Sequence, residues 1–196
     1  MATEESERSA RVQMLPVDEA REAAASAGLP EMFAPLSVFR ILLRDGELAR
    51  AIGDLLQLLL RGRHLDGRLR ELVIMRIGWS TGSVYEWTQH WRVARMMEMS
   101  ESEILGVREW RNHPEFGAAE RAVLAATDET LEHGEISAET WRDCEAHVGG
   151  PEALIELVVA IGNWRLFSSL LRSLEVPLED GTEPWPPDGA RPLGAE

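Results

Sequence analysis

The sequence predicts an all-α protein, and three observations support this prediction. Apolar residues recur at helical spacing through most of the chain. No segment shows the alternation of apolar and polar residues that is typical of half-buried strands. Glycine, proline, serine and aspartate stand between the apolar segments, where they end one helix or begin the next. With 196 residues, 44% of them hydrophobic, we expect one helical domain over residues 16–178, after a disordered segment at 1–15 and before an extended tail at 179–196.

The N-terminal part of this domain is predicted to form short amphipathic helices. Gly28 and Pro30 end the first helix, and Asp45 and Gly46 separate the next two. The predicted helices lie at residues 18–27, 35–44 and 47–62, and residues 65–67 form the turn that follows.

The centre of the chain is predicted to form a core helix and a second helix folded back against it. Residues 68–79 are apolar around most of the helix circumference, which indicates a central position in the core. Thr81 and Gly82 break this helix, and Ser83 can cap the next one, which runs to about Met99. Later helices are indicated by a capping box at Ser100 and Glu103, an amphipathic segment at 116–132, a cap at Ser137, and a long apolar segment from Pro151 to Leu174.

Composition excludes several classes of function. The formal net charge is −14 and the basic residues are scattered, so a nucleic-acid partner is not expected. All 20 basic residues are arginine, which excludes Schiff-base chemistry on a lysine of the chain. Cys144 is the only cysteine, so the chain has no disulfide, CxxC pair or cysteine-rich metal site of its own. We expect Cys144 to be a small buried apolar residue.

The sequence predicts a cytoplasmic protein with no membrane partner. The longest apolar stretches, at residues 55–60 and 154–161, are too short and too often interrupted for a membrane span. The N-terminus reads MATEESERSA, which is acidic and polar where a secretory signal would be basic and then apolar.

Three titratable residues, Glu71, Glu86 and His90, lie on helix faces that are otherwise apolar. Ser83, Glu86 and His90 are spaced i, i+3 and i+7, which places them on one face within about 60°. Glu71 lies on the preceding helix and could approach Glu86 and His90 in a shared cavity, because the break at residues 81–82 folds the two helices together. A buried carboxylate without a partner would cost several kcal/mol, so each acid must be hydrogen-bonded, paired or protonated. Two carboxyls and an imidazole predict an acid–base site.

The segment RLRELVIMRIGWSTGSVYEWTQH resembles the central motif of the carboxymuconolactone decarboxylase and alkylhydroperoxidase D-like superfamily, which reads approximately RELxILR…YEWxxHxxxA. The resemblance continues through HPEFGAAERAVLAATDETLEHGEISAETW and IGNWRLFSSLLRSLEVPLED, and it covers roughly residues 41–180. It implies an alkylhydroperoxidase D-like helical bundle, a homo-oligomer that is a trimer or a hexamer, and a cavity lined by the motif helices.

The resemblance also indicates which branch of the superfamily this chain is similar to. In the redox branch an upstream Glu is followed by C-x-x-C-x-x-x-H, and on this chain the Glu falls on Glu71 and the histidine on His90. The two cysteine positions fall on Ser83 and Glu86, so both thiols needed for peroxide reduction are missing. The chain instead resembles the branch with YEW before the histidine.

Two alternatives remain open for these residues. Arg68, Arg70 or Arg76 could pair with Glu71 in a structural salt bridge, and His90 could be a hydrogen-bonded structural histidine. Glu86 and His90, at i and i+4, could hold a metal with Glu71, although the resemblance implies no metal and no cofactor.

The preferred hypothesis is a cofactor-independent lyase or isomerase that acts on a small carbonyl or carboxylate compound, as the resemblance implies. His90 would be the general acid–base, Glu86 would orient or charge it, and Glu71 would be a proton donor kept protonated by burial. An alkylhydroperoxidase-type antioxidant protein and a noncatalytic ligand-binding oligomer are the alternatives. The residues predicted to contact the substrate are Tyr85, Ser83, Trp87, Arg70 and Arg76.

Overall fold

The computed structural model describes residues 10–193, and all regular secondary structure within these residues is helical. The all-α prediction is therefore confirmed. The predicted disorder of residues 1–9 and the last three residues of the predicted tail lie outside the described residues. Over residues 10–193 there are nine α-helices: α1 (Val17–Ala27), α2 (Ser37–Leu42), α3 (Gly46–Leu60), α4 (Gly67–Thr81), α5 (Val84–Met96), α6 (Glu101–Gly106), α7 (Ala118–His133), α8 (Ala138–His147) and α9 (Pro151–Ser173).

Several predicted helix ends differ from the observed ones. The segment predicted as one helix at 35–44 contains only α2, preceded by a single 3₁₀ turn at Glu31–Phe33. Helix α5 ends at Met96 rather than near residue 99, because Glu98 adopts a left-handed φ of 63°. Ser83 precedes α5 but its hydroxyl makes no capping hydrogen bond. At α6 the Ser100 hydroxyl accepts from the Glu103 amide, whereas the Glu103 carboxylate binds Arg68 instead of completing the capping box.

The described residues divide into two compact units. Residues 10–56 and 170–182 form unit 1, whereas residues 57–169 and 183–193 form unit 2 and include every predicted site residue. Within unit 1 the Arg11 and Leu15 amides donate to the carbonyls of Leu174 and Arg40, so residues 10–15 are tied into that unit. The single domain over residues 16–178 stays a prediction.

In unit 2 the core is built around α4, which packs against α5 and α7. The Asp66 carboxylate caps α4 by accepting from the Arg68 and Leu69 amides, at 2.9 and 3.1 Å. Gly78 allows α5 to approach closely, because a Cβ at this position would lie 3.0 Å from the Trp87 backbone nitrogen. The central position predicted for this helix is observed: its fully buried apolar residues are Leu72, Val73, Ile74, Met75 and Ile77.

Helix α9 is long and apolar enough, by length and composition alone, to cross a membrane. More than half of its apolar stretch is buried inside the protein. A core helix passes the same test of length and composition, and the burial of α9 fits that role.

The C-terminal segment after α9 has no regular helix but is not detached over its described residues. In unit 2 the Trp185 side chain is buried. Its amide donates to Thr88 Oγ1 at 3.2 Å, and the Trp87 indole donates to the Pro186 carbonyl at 2.9 Å. Trp185 and Pro186 therefore contact α5.

Candidate acid–base site

The turn between α4 and α5 brings Glu71 and His90 into direct contact. Gly82 ends α4 with a left-handed φ of 70°, and α5 begins two residues later. Glu71 Oε2 lies 2.8 Å from His90 Nδ1, so the contact expected between these two residues is present. Glu71 is fully buried, whereas 15% of the His90 side chain is exposed. The imidazole is thus the solvent-accessible member of the pair.

Arg70 provides the second partner of Glu71. Its Nη2 and Nε lie 3.3 and 3.4 Å from Glu71 Oε1, and its Nη1 donates to the Leu59 carbonyl at 3.2 Å. The guanidinium is only 5% exposed. Arg70 therefore neutralises Glu71 inside unit 2, and these donors face protein acceptors. That Arg70 contacts the substrate stays a prediction.

Trp164 on α9 fixes the protonation of His90. The indole Nε1 can only donate, and it donates to His90 Nε2 at 3.2 Å. That imidazole nitrogen is therefore unprotonated, so Nδ1 carries the proton and donates it to the Glu71 carboxylate. The hydrogen bonds thus assign His90 as a neutral imidazole with its lone pair on Nε2.

Glu86 lies one helical turn before His90 on α5 but does not share in these hydrogen bonds. It is 2% exposed, and neither of its carboxyl oxygens has a hydrogen-bond partner. Burial raises the pKa of Glu86 well above its usual range, and the nearby Ser83 hydroxyl lowers it only in part, without a hydrogen bond of acceptable geometry. Burial without a hydrogen-bond partner therefore favours the protonated, neutral form of Glu86.

This geometry exchanges the roles predicted for the two acids. The sequence predicted that Glu86 orients His90 and that Glu71 is the protonated donor. In the structure Glu71 contacts the imidazole and Glu86 is the isolated buried acid. The reason is Arg70, since its guanidinium gives Glu71 a cation to pair with, whereas no cationic side chain of residues 10–193 forms an ion pair with Glu86.

Arg76, the second arginine predicted to contact the substrate, is also paired with a protein side chain. Its Nε and Nη2 donate to the two oxygens of Asp128 at 2.6 and 3.0 Å, and Nη1 donates to the Val107 carbonyl at 2.9 Å. This bidentate pair joins α4 to α7 and uses one edge of the guanidinium. That Arg76 contacts the substrate stays a prediction.

The remaining predicted substrate contacts are buried around α5. Ser83 and Trp87 are at most 1% exposed, and Tyr85 is 6% exposed. Ser83 lies near Glu86, whereas Tyr85 lies roughly 140° around the helix from His90. Trp87 stacks on Trp91 at 6.4 Å and belongs to a cluster on the adjoining side of α5. Of the three, Ser83 is the one beside the candidate site.

Two surface depressions lie away from these residues. The larger, about 970 Å³, belongs to unit 1 and is lined by residues of α1 and α3 and the turn before α3. The smaller, about 360 Å³, is lined in part by Arg76 and Asp128. Neither contains Glu71, Glu86 or His90. Among residues 10–193 no three His, Cys, Asp or Glu side chains are placed to hold a metal ion.

Comparison with known proteins finds one family model and several solved structures. Residues 46–129 match the model of the carboxymuconolactone decarboxylase family, and this range contains α4, α5 and all three candidate catalytic residues. Over this range the chain is similar to that family, and its fold is AhpD-like. No curated protein matches it.

Solved structures with the AhpD-like fold resemble this chain over most of its length. The AhpD core of an uncharacterized peroxidase-related protein from Ralstonia eutropha aligns with a TM-score of 0.70 at 15% identity, covering 87% of this chain and 93% of that one. A protein of unknown function from Agrobacterium tumefaciens, proposed as the antioxidant defence protein AhpD, has a TM-score of 0.64 at 22% identity over 69% and 92% of the two chains. A variant of the debrominase Bmp8 in complex with 2,3,4-tribromopyrrole has a TM-score of 0.64 at 17% identity over 84% and 86%. At these identities the likeness shows the fold alone.

The chain has a single thiol, that of Cys144. Cys144 is fully buried on α8, and burial, with the charges of Asp143 and Glu129, raises the pKa of its thiol to about 11. Cys144 is therefore a neutral thiol inside the protein, as expected from its sequence context.

Sequence reasoning missed one member of the site, Trp164. It is 1% exposed, and its indole N–H needs an acceptor when buried. That requirement was the available signal, but it names no partner, and His90 lies 74 residues away along the chain.

Proposed function

We propose that this protein is a cofactor-independent lyase or isomerase that uses acid–base chemistry on a small carbonyl or carboxylate compound. The observation that carries the proposal is Glu86, a buried carboxyl group without a partner, one helical turn from an imidazole whose tautomer is fixed. A neutral carboxyl group at neutral pH is a proton donor, and a neutral imidazole beside a carboxylate is a base.

The site divides the chemistry between two residues. His90 removes a proton through Nε2 once the substrate displaces the Trp164 hydrogen bond, and Glu71 stabilises the imidazolium that forms. Glu86 delivers a proton to the carbon that carries the developing negative charge. Trp164 and Glu71 act as positioning residues, because both hold the imidazole by its nitrogens.

These groups account for the bond that breaks, the electron pair and the proton in a decarboxylation. The carbon–carbon bond to the substrate carboxylate breaks, carbon dioxide leaves, and the electron pair stays on the substrate as an enolate-like anion. The Glu86 proton then bonds to that carbon, and the Glu86 carboxylate regains a proton from solvent. In an isomerisation His90 takes the proton from one carbon and Glu86 gives one to another.

Solvent deuterium provides the test of this proposal. We expect the protein, incubated in D₂O with a panel of lactone carboxylates and β-keto acids, to release carbon dioxide or isomerise one class of them. The product should carry one deuterium at the protonated carbon, read by mass spectrometry. Failure to decarboxylate, isomerise or exchange any carbon-bound proton across the panel would instead favour the noncatalytic ligand-binding oligomer.

A thiol peroxidase is not favoured by any residue of the site. Peroxide reduction in the redox branch needs an attacking thiolate and a second thiol, and Cys144 is single, buried and protonated. The acid–base proposal uses residues that are present, and we place its action in the cytoplasm.

We also propose that the chain forms a homo-oligomer through α9. Apolar side chains at i, i+3, i+4 and i+11 of this helix are exposed: Ile155 by 64%, Val158 by 44%, Val159 by 39% and Leu166 by 48%. One continuous apolar stripe on a helix is typical of a surface that another subunit covers.

Light scattering at micromolar concentration should give a multiple of the 21.9 kDa chain mass, with a trimer or hexamer expected. Replacing Ile155 and Val158 by glutamate should reduce this mass, because burying two carboxylates at a contact is costly. Replacing the exposed Glu139 and Glu145 of α8 by alanine should leave it unchanged. A mass near 21.9 kDa for the unmodified protein would contradict the proposal.

A further inference from the structure

Unit 2 holds a second cluster of functional groups, on the side of α5 next to the one that carries Glu86 and His90. The Arg108 guanidinium carbon lies 4.4 Å from the centre of the Trp79 ring and 4.9 Å from that of Trp87. The two indoles are 5.3 Å apart and tilted by 54°. We call Trp79, Trp87 and Arg108 the indole–arginine cage.

The C-terminal segment fills this cage with one ring and one carboxylate. The Trp185 ring meets Trp79 edge-on at 6.1 Å and lies 6.2 Å from Trp87. Three residues later, the two Asp188 oxygens accept from Arg108 Nη1 and Nη2 at 2.8 and 3.1 Å. An indole and a carboxylate on one short segment are the same two groups that an aromatic carboxylic acid carries.

The hold of this segment on the cage is limited. Asp188 is 47% exposed, so its ion pair with Arg108 is partly screened by water. Two further hydrogen bonds tie the segment to α5, from the Trp185 amide to Thr88 and from the Trp87 indole to the Pro186 carbonyl. Arg108 Nε is buried and has no hydrogen-bond partner. Asp188 therefore leaves one donor of the guanidinium unused.

We propose that the indole–arginine cage is a binding site for small aromatic carboxylates, and that residues 185–188 occupy it as an internal competitor. Stacking on Trp79 and Trp87 would hold the ring, and the two terminal nitrogens of Arg108 would hold the carboxylate. Ligand and segment cannot occupy the cage together, so binding in solution requires the segment to leave. This site uses none of Glu71, Glu86 and His90, and it stands independently of the proposed function.

Indole-3-acetate is a suitable probe, and isothermal titration calorimetry can measure its affinity. The double variant with Trp185→Ala and Asp188→Asn should bind it at least tenfold more tightly than the parent protein, because the competing groups are gone. Adding Arg108→Gln to that variant should abolish the gain. A control with Glu183→Ala and Arg191→Ala, two exposed residues of the same segment, should bind like the parent.

A second measurement uses the unaltered chain, in case the variants fold poorly. Saturating indole-3-acetate should accelerate hydrogen exchange at the Trp185 amide, since displacement breaks its hydrogen bond to Thr88. Benzyl alcohol, which has a ring but no carboxylate, should not. Equal affinity of the parent and the double variant, binding that survives loss of Arg108, or unchanged exchange at Trp185 would each overturn the proposal and leave the segment as a structural cover.

Discussion

Replacement of His90 by alanine is expected to lower kcat/KM by about 10²- to 10⁴-fold on any substrate found in the deuterium experiment, which is the usual contribution of a positioned general acid–base. His90 Nε2 is the unprotonated nitrogen of the site, and its conjugate acid is stabilised by Glu71 at 2.8 Å. No other described residue bonded to Glu71 can remove a proton, since Arg70 stays protonated. Initial rates of carbon dioxide release or deuterium uptake measure the effect.

The same variant must remain folded for this result to count. Loss of the imidazole leaves Glu71 paired with Arg70 and leaves the Trp164 indole without an acceptor, which lowers the free energy of unfolding by about 1–3 kcal/mol. Far-UV circular dichroism should therefore show an unchanged helix content at 25 °C. His133→Ala, at the exposed end of α7, is the matched control and should keep the full rate. A His90→Ala protein that is fully active, or one that is unfolded, would show that the histidine is structural.

The sequence carried enough information for the local structure of the site. Helical periodicity placed Glu71 on α4 and His90 on α5, and the Thr81–Gly82 break indicated that these helices fold together. Both inferences depend on interactions within about twenty residues, where spacing along a helix determines direction.

The hydrogen-bond and ion-pair partners of the site residues could not be predicted from local spacing. Arg76 could equally bind substrate or protein until the structure placed Asp128, 52 residues later, on the facing helix. Arg70 likewise donates to the Leu59 carbonyl, and His90 accepts from the Trp164 indole. The state of a buried acid depends on which cation reaches it, so the exchanged roles of Glu71 and Glu86 followed from tertiary contacts that no local pattern encodes.

The two acids should respond differently to replacement by glutamine. Glu71→Gln is expected to lower the free energy of unfolding by about 3–5 kcal/mol, because it leaves the Arg70 guanidinium buried without a counter-charge. One glutamine amide also cannot accept from both Arg70 and His90, since its NH₂ group faces one of the two donors. Glu86→Gln replaces one neutral group by another of the same shape and should not destabilise the protein at neutral pH.

The dependence on pH makes this contrast decisive. Burial raises the pKa of Glu86 above its ordinary value of 4.5. Below pH 4.5 the carboxyl group is neutral in both the folded and the unfolded protein, and its contribution to the free energy of unfolding is fully present. As the pH rises from 4.5 towards the folded-state pKa, the unfolded protein loses this proton first and the free energy of unfolding falls. The loss reaches at most about 1.4 kcal/mol per pH unit, and Glu86→Gln removes it. Urea unfolding at about pH 5, 6.5 and 8 should therefore show the stability of Glu86→Gln, relative to the parent protein, increasing with pH. A constant difference across that range, or equal destabilisation by both glutamine variants, would mean that Glu86 is ionised in the folded protein and cannot be the proton donor.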